Sequence, residues 1–356
     1  MTRATRAYPA LAAYTTLGLG GPARTLVTAD AEKDLIEAVR AADADAEPLL
    51  LIGGGSNLVI SDEGFPGTVI HVNTRGISYA EAGDGAVDVT VAAGEDWDGV
   101  VAAAAAEGLA GLESLSGIPG RAGATPIQNV GAYGAEVAEV ITRVRAYDRQ
   151  EDQILVLGNG QCFFAYRTSL FKSAMPRYVV LAVTFRLTRQ ALSRPVRYAE
   201  LAAELGVVLG EGAGIGEVRS AVLKIRARKG MVLNPGDPDT RSAGSFFTNP
   251  VISARELAAV EAAATARAAG PVPRYEAGDG LVKVPAAWLI EHAGFAKGYG
   301  APAPARVSSK HTLALVNAGD ATTSDLLALA REIVSGVRAA YGVTLTPEPI
   351  LVGVTI

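Results

Sequence analysis

The sequence predicts a mixed α and β protein in two parts. Three observations carry that expectation: strand-like apolar runs and helix-like segments alternate along the chain, glycines and prolines punctuate them, and the pattern changes near residue 190. No repeat of fixed period intervenes. The length agrees, since 356 residues at roughly 100–200 per domain make two domains with ample material for a core.

In the first part, Arg24–Thr28 reads as extended, and Asp30 stands where it would cap a helix carrying Leu35, Ile36 and Val39. The apolar run Leu49–Ile52 leads straight into Gly53-Gly54-Gly55-Ser56-Asn57, a buried strand delivering a Gly-rich turn. Val87–Val91 alternates like a strand, and Asp96 is placed to cap a helix ended by Gly108. Residues 111–134 are too rich in breakers for regular structure and too apolar for a plain solvent loop. A long ordered loop of this kind is usually functional. Arg143–Asp148 and Gln153–Leu157 read as a hairpin around 149–152, and Tyr178–Leu187 as another strand.

After residue 190 a linking stretch with Pro195 and several glycines leads to the Ser245 segment. Ser253 and Glu256 have capping-box spacing before an Ala-rich helix. Helices follow at about Pro285–His292 and Ser324–Ala340, each ended by a glycine, Gly294 and Gly342. Strands are expected at Thr312–Val316, with His311 at its start, and at Ile350–Ile356.

Composition narrows the chemistry. A hydrophobic content of 49% with 32 basic against 37 acidic residues excludes a disordered chain, and the net charge of −5 gives no global attraction for a polyanion or an anionic membrane. Nucleic acid is therefore not an expected partner. The single cysteine, Cys162, cannot form an intramolecular disulfide and reads as an inert buried thiol beside Phe163 and Phe164. His71, His292 and His311 do not cluster, so no metal site is expected. The N-terminal stretch is broken by Pro9 before it resembles a signal peptide, and no run approaches the roughly 20 apolar residues of a membrane-spanning helix. The expected setting is cytoplasmic, without membrane insertion.

The glycine triplet after a strand lets backbone N–H groups turn to one side as an anion nest, although three glycines alone serve an ordinary tight turn equally well. It fits neither the dinucleotide fingerprint nor the Walker pattern. Gly117-Ile118-Pro119-Gly120, Gly123-Ala124-Thr125-Pro126 and Gln128–Gly134 allow close backbone approach to a flat ligand, while Thr125, Gln128 and Asn129 supply directional hydrogen bonds. Together these segments describe one extended cofactor. Arg167, among aromatic and apolar residues, calls for a carboxylate or phosphate partner, either a ligand or a structural acid. Ser245, in Gly244-Ser245-Phe246-Phe247, says nothing about catalysis by itself.

Taken in order, the segments resemble one family, UDP-N-acetylenolpyruvoylglucosamine reductase. The resemblance rests on TLGLGGPA from Thr16, GGGSNLVISD from Gly53, GIPGRAGATPIQNVGAYG from Gly117, YRTSLFK from Tyr166, AGSFFTNP from Ala243, AAWLIEHAGFAKG from Ala286 and TPEP from Thr346. It implies an α+β fold: an FAD-binding domain of the vanillyl-alcohol-oxidase type over 12–190, in subdomains of about 12–75 and 76–190, then an α+β substrate-binding domain over 191–356. NADPH would reduce FAD, and UDP-N-acetylenolpyruvoylglucosamine would then take the hydride and a proton.

Residue by residue, the resemblance implies that Gly53, Gly54, Gly55, Ser56 and Asn57 take the FAD diphosphate. Gly117, Ile118, Pro119, Gly120, Gly123, Ala124, Thr125, Gly131 and Ala132 would line its ribityl chain and ring, with Arg226 near the pyrimidine. Ser245 matches the proton donor, and Arg167 with Glu348 the pair that holds the substrate carboxylate. Tyr198, Lys229, Asn249 and Lys297 would bind substrate, Tyr198 in a loop similar to that of the larger form of the family. One departure stands out: some members carry arginine where this chain has Ile350, leaving Lys297, Arg306, Lys310 or His311 to compensate. A monomer is expected. An FAD-dependent oxidase of small alcohols on the same cofactor fold, and a nucleotide-sugar binder without catalysis, are the competing readings.

Overall fold

A computed structural model describes residues 9–356. The first eight residues, part of the N-terminal stretch weighed above as a leader, lie outside the described residues. The chain runs through β1 (Ala23–Ala29), α1 (Glu32–Ala44), β2 (Leu49–Ile52), β3 (Leu58–Ile60), β4 (Phe65–Val72), β5 (Ile77–Glu81) and β6 (Ala86–Ala92). Next come α2 (Trp97–Ala106), β7 (Leu109–Ala110) and a long loop carrying β8 (Gly131–Ala132) and β9 (Ala135–Glu136). β10 (Ile141–Asp148), β11 (Gln153–Gly158), α3 (Leu170–Ser173), β12 (Tyr178–Arg189), α4 (Ala199–Leu205) and α5 (Ile215–Arg228) follow. The remainder comprises β13 (Ser242–Ser245), β14 (Val251–Ser253), α6 (Ala254–Ala266), β15 (Tyr275–Glu276), β16 (Leu281–Lys283), α7 (Ala286–His292), β17 (Ala305–Val307), β18 (Ala314–Asn317), α8 (Thr323–Tyr341) and β19 (Ile350–Val352). No described helix is long and apolar enough to cross a membrane.

Local chemistry explains most boundaries. The Asp96 carboxylate accepts from Gly99 N at 2.9 Å and starts α2, while Ser253 and Glu256 close a reciprocal capping box on α6. Gly342, at φ +72°, ends α8 in the left-handed region. Four expectations need correction. Asp30 does not cap α1: Ala31 occupies that position, and the Asp30 carboxylate instead accepts from Asn73 Nδ2 at 2.6 Å. The expected link after residue 190 contains α4 and α5; α5 buries Val218, Ala221, Val222 and Ile225, a helical period that the flanking glycines and Pro195 obscured. His311 sits in a turn whose carbonyl accepts from Ala314 N, ahead of β18, and β19 stops at Val352.

The chain packs as two units. The first is formed by Ala23–Gly54 and Pro66–Arg228, the second by Ala10–Pro22, Gly55–Phe65 and Lys229–Ile356. In the first, β2 pairs in parallel with β4 in the order β1-β4-β2, and a larger antiparallel sheet runs β11-β10-β12-β6-β5. Its core gathers Leu35 and Val39 of α1, Trp97 and Val101 of α2, and Val183 and Phe185 of β12. A smaller cluster joins α4 to α5. In the second unit, sheets β13-β18-β17 and β14-β16-β15 and the parallel pair β19-β3 surround a core that includes Phe246, Phe247, Leu289, Ile290 and Ile333.

The first unit carries one buried charge whose effect is testable. Asp148, 1% exposed at the end of β10, accepts from Arg177 Nε at 2.9 Å and Nη2 at 2.6 Å and from Gln150 N at 3.0 Å. These bonds, the arginine's first, hold its pKa below the ordinary carboxylate range. A depressed folded-state pKa contributes stability that is present above the unfolded value and lost as pH falls through the folded one. Asp148→Asn is expected to lower unfolding stability by about 2 kcal/mol at neutral pH, Arg177 being partly exposed. The gap between variant and wild type should close in strongly acidic urea titrations; a gap independent of pH would refute the charge argument.

Candidate active site

In the first unit, β2 delivers Gly53 and Gly54 against the segment Gly120-Arg121. A Cβ on Gly54 would lie 2.7 Å from Gly120 Cα, and one on Gly53 would lie 3.1 Å from Arg121 Cγ. At Gly54 only glycine permits this approach. Among the described residues the Gly54 amide donates to no protein acceptor.

The loop that begins at Gly117 is pinned to α2 and to the turn before it. Gly117 N donates to Asp98 Oδ1 at 2.6 Å, and Asp98 also receives the fork of Arg219 at 2.6 and 2.8 Å. Ile118 and Pro119 lie half-buried between Gly117 and Gly120. Trp97 N donates to Gly120 O at 3.1 Å, Ala122 N to Glu95 O at 2.9 Å and Gly123 N to Ala93 O at 2.9 Å. Ala124 is exposed, while the buried Thr125 hydroxyl donates to Ala122 O at 2.7 Å.

Farther along, the backbone is strained where the predicted polar groups lie. Asn129, Tyr133 and Arg167 have φ of 43°, 50° and 55°, uncommon for residues with side chains and frequent at functional sites. Asn129 Nδ2 donates to Glu136 Oε2 at 2.7 Å and Ala165 O at 3.1 Å, tying the loop to the Arg167 turn. Arg167 is half-buried, donates through Nη2 to Gly131 O at 2.9 Å beside Ala132, and lies over the Tyr166 ring at 5.4 Å. Lys172 Nζ reaches Arg167 O at 3.0 Å and Gln128 Oε1 at 3.3 Å. Gly131, Ala132 and Arg167 are thus brought together.

Arg226 of α5 is 8% exposed and sits beside Gly117, where a Cβ would lie 3.4 Å from its Cδ. It is hydrogen-bonded to the Tyr133 hydroxyl; burial lowers the arginine's pKa and pushes the phenol up to about 12. The Tyr133 ring meets Tyr198 edge-on with centroids 5.4 Å apart. Tyr198 and Arg226 are therefore joined through Tyr133, a link that sequence reasoning missed.

In the second unit, Gly55 adopts φ 58° against the Tyr14 carbonyl, with Ser56 half-buried after it. Asn57 O accepts from Ile350 N at 2.9 Å where β3 meets β19. Ile350 is therefore built into a parallel strand pair. Ser245 ends β13 opposite Ala314, after Gly244 at φ +74°, and is half-buried. The TLGLGG motif braces that strand: Thr16 Oγ1 donates to Ser242 O at 2.6 Å, and Asn317 Nδ2 of β18 donates to Leu17 O at 3.0 Å.

Glu348 N donates to Phe246 O at 2.9 Å, and Thr248 N to Thr346 O at 3.0 Å. These bonds lay the TPEP segment alongside the residues that follow Ser245, so Ser245 and Glu348 share one small region. Asn249 Oδ1 accepts from Ala286 N at 2.9 Å and so supports the start of α7. Lys229 is half-buried just after α5, and Lys297 is exposed. Of the cations considered in place of the missing arginine, Lys310 is ion-paired to Asp237.

Arg121 was also missed. It lies in a loop whose small residues and hydrogen-bonding Thr125, Gln128 and Asn129 carried the sequence reading, and the one cation within the run GIPGRAGATP was the available signal. Cys162 is fully buried, and desolvation pushes its thiol up to about 11, so it carries no thiolate near neutral pH.

The family model described as "FAD binding domain" matches residues 23–172. The model described as "UDP-N-acetylenolpyruvoylglucosamine reductase, C-terminal domain" matches residues 237–352. The UDP-N-acetylenolpyruvoylglucosamine reductase of Thermobifida fusca is 55% identical over 349 residues, covering 97% of this chain and 97% of that one. The enzyme of that name from Streptomyces coelicolor is also 55% identical over 349 residues, covering 97% of this chain and 90% of its own. The crystal structure of UDP-N-acetylenolpyruvylglucosamine reductase from Thermus caldophilus superposes with a TM-score of 0.64 at 26% identity, covering 97% of both chains.

Proposed function

This chain belongs to the UDP-N-acetylenolpyruvoylglucosamine reductase family, and from that membership we propose that Arg167, Ser245 and Glu348 are its catalytic residues. The enzyme is an FAD-dependent oxidoreductase that uses NADPH to reduce the enolpyruvyl group of UDP-N-acetylenolpyruvoylglucosamine to the lactyl ether of UDP-N-acetylmuramate, a step in peptidoglycan precursor synthesis. Its fold is the α+β FAD-binding fold of the vanillyl-alcohol-oxidase type followed by an α+β reductase domain. We assign cofactor handling to 12–190 and substrate handling to 191–356, supported by where the two family models fall. Monomeric action in the cytoplasm completes the proposal.

The residues present suit FAD. Gly54 approaches the Gly120 backbone as only glycine can, Gly53 lies under the Arg121 side chain, and the Gly54 amide has no acceptor among the described residues. These are requirements of a backbone that receives an anion. Bound FAD supplies the hydride chemistry, accepting hydride from NADPH and passing it to the substrate's terminal vinyl carbon. Gly53–Asn57 would hold its diphosphate, and the 117–132 loop its ribityl chain and ring, with Arg226 near the pyrimidine.

The protein supplies charge and a proton. Negative charge builds toward the substrate carboxylate as the double bond is reduced, and Arg167, its position fixed by Gly131 O and the Tyr166 ring, meets it. The Ser245 hydroxyl donates the proton that completes the second C–H bond and recovers one from solvent. Glu348 stands with Ser245 to orient that carboxylate, protonated or tied to a cation, since a bare carboxylate would repel it. Tyr198, Lys229, Asn249 and Lys297 bind the remaining substrate.

The observation that supports this assignment most is the backbone bond from Glu348 N to Phe246 O, which lays the segment carrying Glu348 against the residue after Ser245. The test is anaerobic stopped-flow of the yellow protein. NADPH should bleach the flavin, and the enolpyruvyl sugar nucleotide should restore its colour. Restoration by oxygen with a small alcohol as reductant would favour an oxidase, and sugar-nucleotide binding without NADPH oxidation a non-catalytic binder.

A further inference from the structure

Arg121 is a half-buried cation. Its Nε is shielded from solvent and, among the described residues, has no hydrogen-bond partner and no ion pair. The two carboxylates whose charge reaches it, Asp96 and Glu95, are already engaged. Asp96 Oδ1 accepts from Gly99 N at 2.9 Å, while Glu95 accepts from Gly76 N at 2.7 Å and from Arg75 Nη1 at 3.4 Å. Burial, with Arg75 nearby, draws the Arg121 pKa down against the weaker opposing pull of Asp96 and Glu95. Burying guanidinium unpaired is unfavourable, and a planar fork suits phosphate oxygens.

Its placement says where such an anion would lie. Residues 120–123 are fixed to 93–97 by three backbone hydrogen bonds, and the Arg121 stem covers Gly53 at 3.1–3.2 Å from where a Cβ would stand. The cation is thus fixed beside the glycine turn whose backbone suits an anion. From this geometry we infer that Arg121 binds the diphosphate of FAD, neutralising charge that the glycine turn alone meets only with dipoles. The inference rests on the FAD reading above and assigns the turn its fixed positive partner.

The full-length holoenzyme tests it. Arg121→Gln is expected to weaken FAD binding about 10–100-fold, read as flavin released on dilution and by titration back into the chain. The variant's FAD affinity should also depend less steeply on salt than the wild type's, because one charge contact is gone. The absorption spectrum of the flavin that remains bound should be unchanged, since the contact lies away from the ring. Arg121→Lys keeps the charge without the fork and should fall between the two.

FAD affinity within twofold of the wild type in Arg121→Gln would overturn the assignment. A raised KM for NADPH or the sugar nucleotide with FAD affinity intact would do so as well, because the anion would then be another diphosphate. If Arg121→Gln loses its folded circular-dichroism signature, Arg121→Lys decides: weakened FAD binding in a variant whose FAD-free form melts like FAD-free wild type supports the contact, and wild-type affinity refutes it. Wild-type protein that takes up no FAD would instead sink the functional reading itself.

Discussion

Replacing Ser245 by alanine is expected to leave reduction of the bound flavin by NADPH within about twofold of wild type while slowing reoxidation by the enolpyruvyl sugar nucleotide about a hundredfold or more. The asymmetry follows from what the residue supplies. Hydride delivery from NADPH needs no proton from the protein at a substrate carbon, whereas the second half-reaction ends in one. The structure makes the substitution clean. Ser245 is half-buried at the end of β13, and among the described residues its hydroxyl makes no hydrogen bond, so removing Oγ orphans no partner. Folding stability should therefore move by less than about 0.5 kcal/mol. Double-mixing stopped-flow separates the halves, and a solvent isotope effect on reoxidation should grow if a poorer acid takes over. Equal slowing of both halves would remove Ser245 from the protonation step.

Much of the framework is legible in the sequence because its signals are local. Asp96 and the Ser253–Glu256 pair sit at fixed offsets from the helices they start, and Leu49–Ile52 announces its strand by apolar continuity. Where the reading failed, a local signal competed with a distant one. Asp30 has the right side chain for a cap but finds Asn73 across the sheet, and the glycines around α5 outweighed its buried Val218, Val222 and Ile225. The site divides along the same line. Glycine runs mark backbone that must come close to something, so they stand out. That Glu348 reads against Phe246, or that Tyr133 joins Arg226 to Tyr198, depends on pairings between segments far apart in the chain. Arg121 is not legible as a site residue because nothing in the local sequence shows whether its side chain is solvated; burial of its Nε shows that it is not.

Adding a single methyl group to the glycine turn should have the largest effect on folding and on flavin retention together. Gly54→Ala would place Cβ 2.7 Å from Gly120 Cα and 3.2 Å from Gly120 C, both backbone atoms that cannot rotate away. The segments must separate, at a cost of about 1–3 kcal/mol, and any anion seat built from their amides opens with them. FAD affinity is expected to fall more than tenfold. Gly55→Ala is worse, since at φ +58° its Cβ would overlap the Tyr14 carbonyl oxygen, adding left-handed strain of about 1–2 kcal/mol to the steric cost. Its protein should emerge colourless and with a lower unfolding midpoint. Gly160→Ala is the control: that glycine is exposed with no atom within 4 Å of an added Cβ, so stability should stay within about 0.5 kcal/mol and the flavin should stay bound. Thermal melts with and without added FAD distinguish the two contributions. If the turn serves the cofactor, Gly54→Ala gains less stabilisation from FAD than wild type does, because ligand stabilisation scales with affinity. A Gly54→Ala protein that melts lower yet gains from FAD as much as wild type would make the close approach a matter of packing alone, and would move the diphosphate seat away from this turn.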